Sequence, residues 1–173
     1  YGTSFFYPVS TFGAHVSVCP NHQTGRTTSL RTRGIVAGSG TFGYELDITK
    51  IAEEDREQIP GQVEQYHKYN HLVQSGDYYR IASWSSEKPY DCWAVVSKDR
   101  EEVLVTCVQV LASPNRNSYC MRLKGLDSEK LYCLEETGEI FGGDELMQCG
   151  ILISGLSGDF QSKLFYFKSV ETM

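Results

Sequence analysis

Apolar positions fall into short runs separated by glycine, proline and small polar residues, and their spacing changes twice along the chain. Gly13-Ala-His-Val-Ser-Val18 reads as a short buried strand, followed by the turn residues Pro20, Asn21 and Gly25. A second apolar piece, Gly34–Gly40, leads into Phe42–Ile48, which reads as another strand. Two short, nearly continuous apolar strands with a segment between them fit buried parallel strands of an α/β architecture, whose faces are both covered.

The period then becomes helical. Thr49 offers an N-cap, and Glu53-Glu54-Asp55 suits the positive end of a helix dipole. Ile59, Val63, Tyr66 and Val73 recur at helical spacing to about Gln74, where Ser75-Gly76 supplies a stop. Pro60 lacks the N–H that an interior position must donate, so either the helix kinks there or a new turn begins with Pro60 at its start.

From Tyr78 the pattern is that of strands. The expected strands are Tyr78–Trp84, Cys92–Val96, Val103–Leu111, Tyr119–Leu123, Leu131–Leu134, Leu146–Ile153 and Phe160–Phe167. Turn signals at Lys98-Asp99, Pro114-Asn115, Gly125, Thr137-Gly138, Gly142-Gly-Asp144 and Gly155 to Asp159 separate them. Such spacing predicts an antiparallel sandwich of seven or eight strands, and places a boundary near Gly76 between residues 1–76 and 77–173.

Charge sharpens this division. Residues 1–44 contain three charged side chains, Arg26, Arg31 and Arg33, and no Asp, Glu or Lys, whereas the remaining residues carry 13 basic and 22 acidic groups. A solvated surface cannot be built from the first stretch, so it is expected to be covered by other protein, and with its non-Met first residue the chain reads as a piece of something larger. The overall charge of −6 argues against binding a phosphate backbone, and no apolar run approaches the roughly 20 residues of a membrane-spanning helix. The six cysteines form no C-x-x-C pair and several sit inside apolar runs, which favours free buried thiols in a reducing, cytoplasmic setting over a disulfide framework.

Polar groups at the C-terminal end of a parallel strand are where α/β proteins meet their substrates. His15, Ser17, Asn21 and His22 occupy that position and are the candidate substrate-facing residues; the alternative is that they satisfy loop backbone. Cys19 and His22 lack a third group to complete a nucleophilic pair. Glu45 and Asp47 alternate along the second strand, where Glu45 can pair with one of the three arginines and Asp47 can cap the turn that follows. His67 and His71 share a helix face without the Glu of a metal-binding helix, and read as solvated. Gly142-Gly-Asp-Glu145 reads as a turn, and Trp84 and Trp93 as core, or else as a sugar-stacking surface.

Taken together, Gly13–Arg26, Thr32-Arg-Gly34, Gly40-Thr-Phe-Gly-Tyr-Glu-Leu-Asp47, Arg122-Leu-Lys-Gly-Leu-Asp127, Gly142-Gly-Asp-Glu-Leu-Met147 and Gly158-Asp-Phe-Gln-Ser162 resemble the C-terminal part of bacterial α-galactosidases of glycoside hydrolase family 36. The resemblance implies the end of a (β/α)8 TIM barrel followed by a C-terminal antiparallel β-sandwich, within a cytoplasmic enzyme assembled as a tetramer. It implies retaining hydrolysis of terminal α-linked galactose from melibiose, raffinose and related galactosides by two Asp residues, with no metal or cofactor. Both Asp positions of the family precede the region matching Tyr1, so no residue here is assigned a catalytic role and the chain alone is expected to be inactive. The competing expectation is a non-catalytic β-sandwich module for carbohydrate binding or subunit assembly.

Overall fold

The computed structural model describes residues 1–86, 88–114 and 119–171; Asn115 of the expected Pro114-Asn115 turn lies outside them. The chain divides into two compact units, Gly2–Gln74 and Ser75–Met173, the second including Tyr1.

In Gly2–Gln74, two short 3-10 turns precede β1 (Gly13–Ser17), α1 (Leu30–Ala37) and β2 (Thr41–Glu45). β1 and β2 pair in parallel, Gly13 opposite Thr41 and Ser17 opposite Glu45. Parallel neighbours cannot be joined by a tight turn, and α1 lies in the crossover between them. The apolar piece Gly34–Gly40 therefore carries helix as far as Ala37, because Ser29 caps α1 by accepting the Thr32 N–H at 3.2 Å. Val16 is fully buried with Leu30 and Ala37, and Ala14, Phe42 and Tyr44 pack around them. Strand alternation puts His15, Ser17 and Glu45 on the opposite face.

The single helix expected from Thr49 is two: α2 (Glu53–Arg56) and α3 (Ile59–Ser75). Pro60 is the second residue of α3, where an N–H has no intrahelical acceptor to lose. Thr49 caps neither helix. Its N–H and hydroxyl both donate to the Asp47 carboxylate, and Ala52 stands at the N-cap of α2. The Tyr66 ring of α3 stacks on Phe42 at 5.1 Å. Gln62 accepts from the Tyr44 hydroxyl at 2.8 Å and donates to the Leu30 carbonyl at 3.0 Å, tying α3 to both β2 and α1.

The second unit contains β3 (Asp77–Ala82), β4 (Tyr90–Val96), β5 (Glu102–Gln109), β6 (Tyr119–Met121), β7 (Leu131–Leu134), β8 (Ile140–Gly142), α4 (Gly143–Gln148), β9 (Ile151–Ile153) and β10 (Gln161–Val170). Six strands form one antiparallel sheet in the order β3-β4-β5-β10-β7-β8, and β6 pairs with β9 in a second. Ala94, Val105, Tyr132 and Phe167 of the large sheet share one core with Met121, Leu146, Ile151 and Ile153 of the other layer. Among the described residues no helix is long and apolar enough to cross a membrane.

Two expectations fail here. Leu146–Ile153 is not one strand, and Gly142–Glu145 is not a turn: α4 occupies residues 143–148 and only Ile151–Ile153 is extended. Glu145 accepts the Gly142 N–H at 3.2 Å, which starts the helix, and buried Leu146 holds it to the core. Gly150 ends it. Its N–H returns to the Glu145 carbonyl with φ at +83°, and a Cβ there would lie 2.5 Å from the Met121 carbonyl oxygen, so glycine is required on two counts.

All six cysteines are free. Cys92 and Cys107 face each other across β4 and β5, their sulfurs 3.0 Å apart and fully buried, whereas Cys120 and Cys149 are exposed. The hydrogen bond with Cys107, then burial, raises the Cys92 thiol pKa far above its usual value. Alkylation of the folded chain is therefore expected to modify Cys120 and Cys149 quickly and to reach Cys92 and Cys107 only in denaturant. Peptide mapping checks this; early labelling of Cys92 would contradict the packing.

Tyrosine gives a pH dependence. Burial pushes Tyr119 up to about 12 and also raises Tyr132 and Tyr44. The unfolded chain loses these protons near pH 10, while the folded chain keeps them. Above pH 10 the unfolded state thus binds fewer protons, and stability falls as pH rises. We expect the urea midpoint to be unaffected by these groups below about pH 10 and to decline towards about pH 12. A flat midpoint over that window would count against their burial.

Candidate functional site

The C-terminal ends of β1 and β2 lie side by side, and the loop 18–29 leaves from the first of them. The loop builds itself from short-range hydrogen bonds. The Asn21 side-chain oxygen accepts from the Gln23 N–H at 3.1 Å and from the Thr24 N–H and hydroxyl at 3.0 and 3.1 Å. The Asn21 N–H donates to the Arg26 carbonyl at 2.9 Å, and the Asn21 carbonyl accepts the Gly25 N–H at 2.8 Å. Asn21 thus shapes the loop with its oxygens, in the manner of an Asx turn.

Arg33, on α1, closes the loop from beneath. Its Nη1 donates to the Ser17 carbonyl at 2.6 Å, its Nε donates to the Thr28 carbonyl at 3.0 Å, and its Nη2 lies 3.8 Å from the Asp55 carboxylate. The planar guanidinium can reach three acceptors in fixed directions, so one side chain sets the end of β1 and the end of the loop at once. The peptide bond between Cys19 and Pro20 is cis. The Cys19 thiol donates to the Thr28 carbonyl at 3.5 Å, so it serves the loop and makes no pair with His22, which is exposed.

On the open face of the strand pair, His15 Nε2 meets the Glu45 carboxylate. This corrects the expectation that Glu45 pairs with an arginine: its partner lies on the neighbouring strand. Gly43 is opposite His15, and a Cβ built there would meet nothing within 4 Å, so no side chain separates the imidazole from Glu45. Asp47 lies beyond β2 and binds Thr49 and Lys50; these hydrogen bonds, that from the Thr49 hydroxyl foremost, hold its carboxyl below the usual carboxylate range. Glu45 and Asp47 therefore do not form a carboxylate pair.

The structure gathers His15 and Ser17 on one face, with Asn21 and His22 in the loop above their strand end. The sequence reading missed Arg33, and also Glu45 as the partner of His15. Alternation did contain the signal: positions 14 and 16, and 42 and 44, are apolar, so residues 15 and 45 necessarily share the other face once the strands are known to pair.

His67 and His71 are both exposed, and among the described residues no three His, Cys, Asp or Glu side chains gather as metal ligands. Trp93 is only 5% exposed and cannot stack on a sugar; Trp84 is 50% exposed. Phe5, Phe6 and Tyr7 stand out from the charge-poor stretch, Phe6 85% exposed.

Comparison with known proteins matches residues 1–76 to the Melibiase family model and residues 90–167 to the glycosyl hydrolase family 36 C-terminal domain. α-Galactosidase AgaA of Geobacillus stearothermophilus is 48% identical over 99% of this chain, which spans 23% of that protein. Among solved structures, the galactosidase domain of the α-galactosidase–sucrose kinase AgaSK superposes with a TM-score of 0.94 at 40% identity, over 98% of this chain and 24% of that one. A variant of AgaA in complex with raffinose gives 0.93 at 48% identity, over 98% and 23%. The chain thus spans about a quarter of the length of these relatives.

Proposed function

Because this chain belongs to glycoside hydrolase family 36, we propose that it is the C-terminal portion of a retaining α-galactosidase. In this reading residues 1–76 are the closing strands and last helix of a (β/α)8 barrel, and residues 77–173 its C-terminal antiparallel sandwich. The substrate is a terminal α-linked galactoside of the raffinose class, and the whole enzyme is a cytoplasmic homo-oligomer. The observation that carries the proposal is the parallel β1-α1-β2 unit, with one face packed on helices and the other polar and open, over the same residues that match the Melibiase model. A barrel has that arrangement, helices outside and functional groups at the C-terminal strand ends. The absence of acidic groups from residues 1–44, together with exposed Phe5, Phe6 and Tyr7, suits a segment covered by neighbouring barrel strands.

Retention requires two carboxyl groups, one attacking the anomeric carbon and one protonating the leaving oxygen and then activating water. Both come from the part of the enzyme that precedes these strands. This chain contributes His15, Ser17, Asn21 and His22 to the substrate-facing rim, held in place by Arg33.

The test is a graft. Replacing the matching C-terminal segment of AgaA with this chain should give a hydrolase that releases galactose from raffinose, while the 173-residue chain alone should not cleave an aryl α-galactoside. A folded graft without activity, or turnover by the chain alone, would overturn the proposal.

A further inference from the structure

We propose that Glu45 is a positioning residue for sugar binding, acting through His15; this rests on the barrel reading above. His15 and Glu45 lie on the face of β1 and β2 turned away from α1, and the His15 Nε2 meets the Glu45 carboxylate. In a barrel that face is the interior, and Glu45 is the last residue of its strand, at the level where substrate is met. An imidazole whose Nε2–H is taken by a carboxylate has its tautomer and ring plane set, and presents Nδ1 to a second partner. No other charged side chain stands on the described strand residues of this face. Gly43, opposite His15, adds no side chain and leaves open space beside the ring.

The second partner is a neutral polyhydroxylated ligand. A hydroxyl can donate to the Nδ1 acceptor, and the wall needs no charge to receive it, since Ser17 is the polar neighbour at the next inward position. The Ser17 carbonyl is fixed from behind by Arg33 at 2.6 Å, so the strand end that carries this wall is braced. Glu45 touches no substrate in this account. It orients the group that does, and its removal acts on ground-state and transition-state binding alike.

The experiment uses the AgaA graft described above, with wild-type activity on raffinose as its entry condition; an inactive wild-type graft indicts the barrel reading and not this one. In an active graft, Glu45→Ala should raise KM for raffinose about tenfold with kcat within about twofold. Glu45→Gln keeps an oxygen acceptor for the Nε2–H and should recover most of that loss. His15→Ala should match Glu45→Ala, and the double variant should be no worse than either alone, because the two act as one unit. Thermal midpoints of the variant grafts separate binding effects from misfolding, and the Gln variant keeps the test decisive should an alanine variant fail to fold. Unchanged KM in Glu45→Ala, additive losses in the double variant, or a fall confined to kcat would overturn the assignment.

Discussion

Gly143→Ala is expected to destabilise the sandwich unit by about 3 kcal/mol or more, at the upper end of what overpacking costs. A Cβ at this position would lie 1.9 Å from the Asp127 carbonyl oxygen and 3.0 Å from the Tyr132 ring. Neither neighbour can retreat. The Asp127 carbonyl accepts the Lys130 N–H, the Asp127 N–H donates to the Tyr132 hydroxyl at 3.1 Å, and that hydroxyl donates to the Arg100 carbonyl at 2.9 Å. Gly143 itself donates its N–H to the Lys130 carbonyl at 2.8 Å, so moving α4 aside breaks that bond as well. Against a total stability of about 5–15 kcal/mol, such a loss should lower the urea midpoint sharply. Far-UV circular dichroism and tryptophan fluorescence would follow it, Trp93 being buried in β4. A midpoint within experimental error of wild type would show that the turn at Asp127 yields, contrary to this packing.

Arg33→Met should have the second largest effect, in the other unit. Methionine keeps the apolar stem but removes the guanidinium donor from the Ser17 carbonyl and leaves the Thr28 carbonyl only the weak Cys19 thiol. Hydrogen bonds from a charged group contribute about 1.5–3 kcal/mol each, so a loss of about 3 kcal/mol is expected. It should appear as faster amide exchange through residues 18–29 and along β1, with α3 less affected. Arg33→Lys retains charge without the planar fork, and should fall between the two because an ammonium cannot serve both carbonyls in these directions. If the methionine variant exchanges like wild type, the loop stands on its internal hydrogen bonds alone.

Much of this architecture is legible before any coordinates. Leu131–Leu134 and the start of β1 at Gly13 are found at their sequence-predicted positions, because tight turns and abrupt changes of polarity bound them. The failures have a shared origin. Leu146–Ile153 is an apolar run that periodicity alone cannot assign to helix or strand, and what decides it is a hydrogen bond from Gly142 to Glu145 and the left-handed Gly150. Thr49 has the chemistry of a cap but is diverted by Asp47 two residues earlier, a competition that propensity does not register. At the candidate site, His15 stands out as a polar residue in an apolar strand. Its link to Glu45 depends on the register of two strands separated by a crossover helix, and pairing over that distance is not written in local pattern. The part Arg33 plays in the loop is invisible for a related reason: the groups it hydrogen-bonds there are backbone carbonyls, which carry no residue identity.

The position of β10 bears on how the chain is made. It lies between β5 and β7 and pairs with both, yet it follows every other described strand in the sequence. As the polypeptide leaves the ribosome, β3, β4 and β5 can zip together as they appear, but β5 and β7 each keep a bare hydrogen-bonding edge until residues 161–170 arrive. For that interval the nascent chain holds two unfinished half-sheets, each able to recruit a strand from a neighbouring polysome. Any delay in delivering residues 161–170 prolongs this exposure, and their docking between β5 and β7 ends it.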